Sequence, residues 1–431
     1  MDPAGVDPGG VTTAIDTTTG DGESSGPASA SSTGQTSSGS ASSTGSWSST
    51  SGETSSSSGE DPGSHTQLVV DWSLTFETFE PNAVEVMPDG LIVLGGFEGE
   101  VASLRALYPD GSLAWTHDLD PFQWGVPVEV EQVVSLAVLD EQDLAVSVAR
   151  GNDDIHPAYA SPDRVEDGLL RFDVTSQMVE WSNLLNVPMS EPDASPLLTP
   201  FEVGGVASDG DGILLSGLGN ATYPGDEGQS APYTFPWTQW VDAASGSRLW
   251  SRIEGWSRFN GNGGRIVRTT YDVSDSSLLC DVQTRDLATG APVSPGLPFE
   301  LGLETCWGGD EFSDGRYALS TGNESHGYIQ IAAPGSLTKL SLDATDLARA
   351  DGLYVAPDDT LYGWGLLADP ATEGVWYGFA HIEIADPPST SVGFDFTYAE
   401  RPLTVAFASA DEFLFLRRVE GTKVLEMRVW T

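Results

Sequence analysis

Short apolar runs alternate with turn residues from Gln67 to the end of the chain, without an amphipathic helical pattern between them. Leu91 to Leu94, for example, contains no polar residue and follows a Pro-Asp-Gly turn, which is typical of a strand covered on both faces. Asp-Gly pairs supply the positive backbone angles that tight hairpins need. The pattern predicts an all-β domain over residues 66–431, built from short strands joined by hairpins.

The turns recur at a regular spacing. Each contains an Asp or Asn, usually beside Gly or another acid, and consecutive turn centres are 44 to 69 residues apart. The turn centres are Asp89, Asp140, Asp209, Asn262, Asp314, Asp358 and Asp411. A period of about 50 residues with four strands per repeat is typical of a β-propeller, so these turns predict a seven-bladed β-propeller.

The two ends of the predicted domain are complementary. The last repeat ends after its third strand, whereas the segment 68–76 before the first repeat has the pattern of an outer strand. A Trp recurs on the predicted outer strands, at Trp72, Trp115, Trp181 and Trp250. Such a large side chain can fill the gap between diverging blades. We therefore expect strand 68–76 to pair with Val424–Trp430, complete the seventh blade and close the ring.

Residues 1–65 have a different composition, dominated by Ser, Thr and Gly, with no Lys or Arg. Such a segment cannot bury enough apolar surface to offset its conformational entropy, which predicts a disordered tether. No apolar run is long enough to span a membrane. The first ten residues, MDPAGVDPGG, also lack the basic and apolar regions of a signal peptide.

The charge of the chain limits the classes of partner that we expect it to bind. The chain has 64 acidic and 18 basic residues and a formal net charge of −46, and all 18 bases lie in residues 66–431. An acidic surface repels phosphate backbones, which excludes nucleic acid as an expected partner. The same surface resists self-association, which predicts a monomer. It also attracts cations, so calcium is a candidate cofactor.

Two stretches resemble the repeats of known propeller families. Asp242–Ser251 (DAASGSRLWS) is similar to repeats of pyrroloquinoline-quinone-type propellers, and Asp89–Trp115 resembles bacterial extracellular repeats of the "PDGSLD" type. The resemblance implies a propeller outside the cell or on the surface of a bacterium. Residues 1–65 resemble the tethers of bacterial surface lipoproteins, which implies a lipid anchor upstream. Quinoprotein dehydrogenases usually have eight blades and adjacent cysteines, so a quinone is not expected here.

Two groups of residues are candidates for a binding site. Asp153, Asp154 and His156 lie in a long connection between two predicted strands and offer ligands for a cation. Tyr233, Phe235 and Trp237 follow a Pro/Gly-rich loop, and such rings can stack on sugars or on peptide side chains. Trp240, nearby, could equally belong to a blade core.

Three further pairs of residues are weaker candidates for a metal site or a disulfide. His381 and Glu383 alternate along a strand, which favours an ordinary surface pair over a metal site. Asp209 and Asp211 have only part of the spacing of a calcium loop, and a hairpin turn explains them better. The only cysteines, Cys280 and Cys306, allow one disulfide and no four-cysteine zinc site.

The sequence leaves two classes of function open, a binding protein and an enzyme. The sequence has no P-loop and no G-x-S-x-G motif, which favours a non-enzymatic secreted or surface-exposed propeller that binds or scaffolds an unknown protein or carbohydrate. The alternative is a hydrolase, lyase or oxidoreductase with its site at the mouth of the central channel. Three or more converging carboxylates or histidines there would favour the enzyme.

Deleting residues 1–65 should leave the melting temperature nearly unchanged, because this segment is expected to bury nothing. Differential scanning calorimetry of the full chain and of the chain starting at Thr66 provides the comparison. A large drop in Tm on deletion would show that the segment packs on the domain.

Overall fold

The structure is a computed structural model. It describes residues 68–120, 128–151, 164–187, 199–208, 210–224, 230–253, 265–268, 283–286, 289–292, 297–299, 305–322, 326–343, 345–368, 376–385, 388–397, 400 and 402–430. The predicted tether, residues 1–65, lies outside the described residues. Within these ranges, no helix is long and apolar enough to cross a membrane.

The described secondary structure is dominated by β-strands, numbered here in chain order. They are β1 (Leu68–Thr75), β2 (Phe79–Val86), β3 (Ile92–Glu98), β4 (Val101–Leu107), β5 (Leu113–Asp118), β6 (Val130–Val138), β7 (Asp143–Gly151), β8 (Arg164–Asp173), β9 (Met178–Val187), β10 (Thr199–Ser208), β11 (Gly212–Pro224), β12 (Ser230–Asp242), β13 (Arg248–Ile253), β14 (Arg265–Arg268), β15 (Gln283–Asp286), β16 (Thr305–Glu311), β17 (Tyr317–Gly322), β18 (Gly327–Ala333), β19 (Ser336–Ser341), β20 (Leu347–Val355), β21 (Leu361–Leu367), β22 (Trp376–Glu383), β23 (Ser389–Thr397), β24 (Pro402–Phe407), β25 (Glu412–Val419) and β26 (Thr422–Trp430).

The strands form antiparallel sheets in which neighbours along the chain are neighbours in the sheet. Three sheets contain four consecutive strands each, β2–β5, β16–β19 and β20–β23, and a fourth contains β24–β26 with β1. Strands β6–β13 form an eight-stranded sheet, and β14 and β15 form a two-stranded one. The sheets β2–β5, β16–β19 and β20–β23 therefore each have their first strand at one edge and their last strand at the other, whereas β24 and β1 are the edges of the fourth.

Successive sheets pack face to face through separate apolar cores. Leu104 and Val146 belong to the core between β2–β5 and β6–β9, and both are fully buried. Aromatic side chains, including Phe379 and Phe413, fill the core between β20–β23 and the sheet of β24–β26 with β1. The first strand of each sheet also packs against the sheet that precedes or follows it. Twisted four-stranded antiparallel sheets stacked face to face in chain order define an all-β β-propeller.

The predicted seven-bladed ring closed by strand 68–76 is wrong as a whole. Counted as hydrogen-bonded sheets, the described residues form six blades. No described ladder of backbone hydrogen bonds links the sheet that contains β1 to β2–β5 or to β20–β23, so hydrogen bonds do not close a ring. Successive sheets are held by apolar cores and by individual polar contacts.

One local feature accounts for the miscount, because turns were counted where sheets had to be counted. The second and third repeats merge, since Thr199 and Pro200 of β10 pair with Val187 and Asn186 of β9. The repeat expected around Asn262 is represented by β14 and β15, which have four residues each.

The pairing of the two chain ends, in contrast, occurs as expected. Strand β1 pairs antiparallel with β26, with Trp72 opposite Met427. The Trp72 indole N–H donates to the carbonyl of Pro109, at 2.9 Å, in the turn between β4 and β5. At Gly111 of that turn, φ is +80° and an added Cβ would lie 3.0 Å from the Trp72 ring, so glycine suits both the turn and the contact.

Outer-strand Trp side chains also contact the next repeat elsewhere, within the eight-stranded sheet and between sheets. Trp181 of β9 donates from its indole N–H to the carbonyl of Ala243, at 3.0 Å, in the turn between β12 and β13. Trp115 of β5 packs against Phe172 of β8, with ring centroids 5.9 Å apart. Outer-strand Trp side chains therefore bridge neighbouring repeats.

Replacing Trp72 by Phe should lower the free energy of unfolding by about 1 kcal/mol, because it removes the bond to Pro109. Trp72→Ala should cost about 3 kcal/mol, because it also empties the space beside Gly111. Urea unfolding of both variants measures the two effects, and Tyr108→Ala, at a side chain that is 53% exposed, is the control. Equal stability of Trp72→Ala and the wild type would contradict the bridging role.

Candidate functional site

Several of the predicted site residues lie outside the described residues: Asp153, Asp154, His156, Asp209 and Cys280. Cys306 lies in β16 opposite Thr321, but without Cys280 the disulfide stays a prediction. His381 and Glu383 have separate partners. The His381 ring packs 5.5 Å from that of Tyr362, and Glu383 accepts a bond from the Ser389 hydroxyl at 2.7 Å.

A β-bulge interrupts the innermost strand of six repeats at a corresponding point. The bulged residues are Asn82 in β2, Val134 in β6, Gly204 in β10, Trp307 in β16, Asp351 in β20 and Leu403 in β24. A bulge bends its strand and re-aims one side chain, and bulges are common near functional sites. The bulged residues share no side-chain type, so the sequence carried no signal for them.

Polar contacts join each of several repeats to the innermost strand of the next repeat. An innermost strand has one edge without a strand partner, and its backbone groups need other partners. The contacts are Asn82 Nδ2 to Val133 O (3.0 Å), Val206 N to Ser135 Oγ (3.2 Å), Val355 N to Asp310 Oδ2 (2.7 Å) and Ser320 Oγ to Ala350 O (2.6 Å). Side chains of one repeat thus bond to backbone groups on the innermost strand of the next repeat.

Two carboxyl groups occupy the same register position in different sheets. Glu85 and Asp310 are each the third residue after a bulge. Burial raises the pKa of each to about 7, and backbone N–H groups oppose that shift only in part. Both Asp310 oxygens accept backbone bonds, from Val355 N and from Glu311 N at 2.8 Å. Asp310 is therefore a clasp between sheets, and its pKa shift reflects burial.

A cluster of acidic groups lies on the outer strands of the second repeat. Oxygens of Asp143, Asp173 and Glu180 lie within 4.8 Å of one another, which would suit a cation. The Arg171 guanidinium already pairs with Asp143 and, at 2.8 Å, with Glu180. It also donates to the carbonyl of Ala243 at 3.2 Å. The cluster is therefore an ion-pair network between repeats, away from the innermost strands.

One hairpin extends beyond the rest of its sheet. Strands β11 and β12 have 13 residues each, and they pair along their whole length from Gly212 to Pro224. The described pairing with β10 stops at Gly219, and that with β13 stops at Trp237. Residues 220–224 and 230–236 thus form a two-stranded ladder of about 17 Å, at the strand rise of an antiparallel ladder, that has no third strand among the described residues. We name it the arm.

The register places aromatic residues on one face of the β11–β12 ladder, because directly opposite residues and alternate residues share a face. The cross-strand pairs of this face are Gly217 with Trp237, Gly219 with Phe235, Ala221 with Tyr233, and Tyr223 with Ala231. Every aromatic position is therefore opposite a glycine or an alanine. Tyr223 was missed by sequence reasoning, since only the register brings it to the other three.

The opposite face of the β11–β12 ladder carries a different set of residues. Its pairs in and next to the arm are Leu218 with Pro236, Asn220 with Thr234, Thr222 with Pro232, and Pro224 with Ser230. Trp240 belongs to this second face, is 4% exposed and packs beside Gly212. Trp240 is thus core, whereas Tyr233, Phe235 and Trp237 share the other face.

Comparisons with known proteins add a fold likeness and no assigned function. No protein-family model matches the sequence, and no curated protein is significantly similar to it. The β-propeller domain of the Trilobed protease from Pyrococcus furiosus is similar in structure, with a TM-score of 0.48 and 10% identity over 83% of this chain and 97% of that one. BamB from Moraxella catarrhalis gives a TM-score of 0.39 and 10% identity, over 84% and 99% of the two chains. Quinohemoprotein alcohol dehydrogenase from Comamonas testosteroni gives 0.43 and 9%, over 84% and 76%.

The Asp310 clasp predicts that the stability of the folded protein depends on pH. The pKa of Asp310 is about 7 in the folded protein and 3.8 in its ordinary state, so its contribution to stability is present below pH 4 and lost as pH rises through 7. Asp310→Asn removes this dependence. Between pH 5 and pH 8 the wild type should therefore lose about 3 kcal/mol more stability than the variant, because about two pH units of that interval lie below the folded pKa of Asp310. Urea unfolding at both pH values tests this, and parallel pH profiles would refute it.

Proposed function

We propose that this chain is a non-enzymatic binding propeller, exported to the surface or surroundings of a bacterium, and that the aromatic face of the arm holds its ligand. The single observation that carries the proposal is the register of β11 and β12. It gathers Tyr223, Tyr233, Phe235 and Trp237 on one face at the end of the blade.

The arm is suited to an extended ligand. Aromatic positions two residues apart along a strand are about 6.6 Å apart, so β12 offers a row of ring positions at a regular interval. Each aromatic position is opposite a glycine or an alanine, the smallest residues. Aromatic rings supply large apolar area with few rotatable bonds, which makes them effective binding residues.

We favour a neutral polysaccharide over a protein as the ligand. A surface with a net charge of −46 repels polyanions, so acidic glycans are poor candidates. Flat aromatic positions without charged neighbours match the apolar faces of sugar rings. The ladder from Gly217 to Tyr223 and from Ala231 to Trp237 contains no charged residue.

The enzymatic alternative has weaker support. Among the described residues, the group that brings three acids together is Asp143, Asp173 and Glu180, and Arg171 pairs with two of them. The pKa-shifted Asp310 uses both oxygens for backbone N–H groups of β16 and β20. These carboxylates serve the packing of sheets and do not form a reactive constellation.

Binding to cello-, chito- and xylo-hexaoses, measured by isothermal titration calorimetry on the full chain, tests the proposal. The double variant Tyr233→Ser/Phe235→Ser should weaken the affinity for the bound sugar at least about tenfold, because two stacking positions are lost. The matched control is Thr222→Ala/Thr234→Ala, on the other face of the same arm. It should bind as the wild type does.

Two outcomes would contradict the proposal. Failure of the wild type to bind any of the sugars would remove the carbohydrate ligand. Equal losses in the aromatic and threonine variants would show that the arm acts through folding. Circular dichroism and thermal melts of both variants identify that case.

A further inference from the structure

One lysine is buried where the two ends of the domain meet. Lys423, near the start of β26, has a side chain that is 9% exposed. Its Nζ atom lies 2.8 Å from Oδ1 of Asn82 and 3.5 Å from Oε2 of Glu80, both in β2. The chain has only one other lysine, Lys339, which lies over the ring of Tyr328.

The side-chain amide of Asn82 makes hydrogen bonds through both its nitrogen and its oxygen. Asn82 is the bulged residue of β2 and donates from Nδ2 to the carbonyl of Val133 in the next sheet, at 3.0 Å. Its Oδ1 accepts the bond from Lys423. These two bonds hold the Asn82 amide next to the Lys423 amine, which is the proximity that a reaction between the two groups requires.

We propose that Lys423 and Asn82 become joined by an intramolecular isopeptide bond, with the Glu80 carboxylate as the proton carrier. This covalent link is independent of the binding function proposed for the arm.

The reaction balances within these three side chains. The neutral Lys423 amine attacks Cγ of Asn82, and a new Cγ–Nζ bond forms. Glu80 takes a proton from Nζ and returns it to Nδ2, the Cγ–Nδ2 bond breaks, and ammonia leaves. One secondary amide replaces one primary amide and one amine, and no oxidant or cofactor is required. The carboxylate is regenerated at the end.

The surroundings of Lys423 favour its neutral, nucleophilic form. Burial lowers the pKa of its ammonium group, and Arg418 contributes in the same direction. Glu80 raises the pKa but offsets the burial only in part. The Phe97 ring centroid lies 6.0 Å from Nζ, and its weak attraction for a cation at that distance opposes the effect of burial only slightly. Glu80 itself is 57% exposed, which lets it exchange protons with water.

The mass of the intact wild-type chain decides the proposal. After expression and incubation at pH 8, the mass should be lower than the sequence mass by one ammonia. Trypsin should fail to cleave after Lys423, and a branched peptide should join the segments that contain Asn82 and Lys423. Lys423→Arg should restore the full sequence mass of that variant, whereas Lys339→Arg should still lose ammonia.

The variant Glu80→Gln tests whether the Glu80 carboxylate catalyses the reaction or whether the proximity of Lys423 and Asn82 is sufficient. This variant should retain the fold, since Glu80 is exposed, but should be cross-linked to a smaller fraction at each time of incubation. A folded wild type that keeps its full sequence mass would overturn the proposal, whatever the variants do. Loss of ammonia that persists in Lys423→Arg would place the reaction elsewhere and overturn it as well.

Discussion

The open edge of each innermost strand is the constraint on which the rest of this fold depends. Backbone groups on that edge have no strand partner, and each unpaired buried group would cost about 1–3 kcal/mol. The chain meets the constraint with side chains of the preceding repeat, such as Asn82, Ser135 and Asp310. These contacts, together with the apolar cores, hold successive sheets without a continuous ladder. They also explain why a carboxyl group with a pKa of about 7 is retained at Asp310.

The shortage of basic residues gives the few arginines a structural role. With 18 bases against 64 acids, most carboxylates have no basic partner available. Arg171 lies among Asp140, Asp143 and Glu180, and Glu426 lies between Arg417 and Arg428. Breaking a buried pair by removing one partner is costly, because the remaining charge stays buried. The interior ion pairs therefore tolerate substitution less well than the acidic surface does.

The sequence predicted what depends on local pattern. Strand β4, the Asp-Gly turns, the pairing of β1 with β26 and the bridging Trp72 all follow from alternation and turn chemistry. The sheet count did not, because β9 and β10 join through two residue pairs that leave no trace in the local pattern. The bulges were also invisible, since any residue type can occupy one. At the candidate site, three aromatic positions were found from the sequence, and Tyr223 needed the cross-strand register.

The sheet formed by β1 and β24–β26 also sets the order in which the domain can fold. Leu68 and Arg428 contact each other across 360 positions of sequence, so β1 emerges from the ribosome long before its partner exists. At ordinary rates of synthesis that interval is roughly 20–70 s. During it the sheets β2–β5 through β20–β23 can form in order, while β1 has no strand to pair with. The sheet therefore cannot be completed, and the edge of β1 stays available to chaperones, until the final strand has been made.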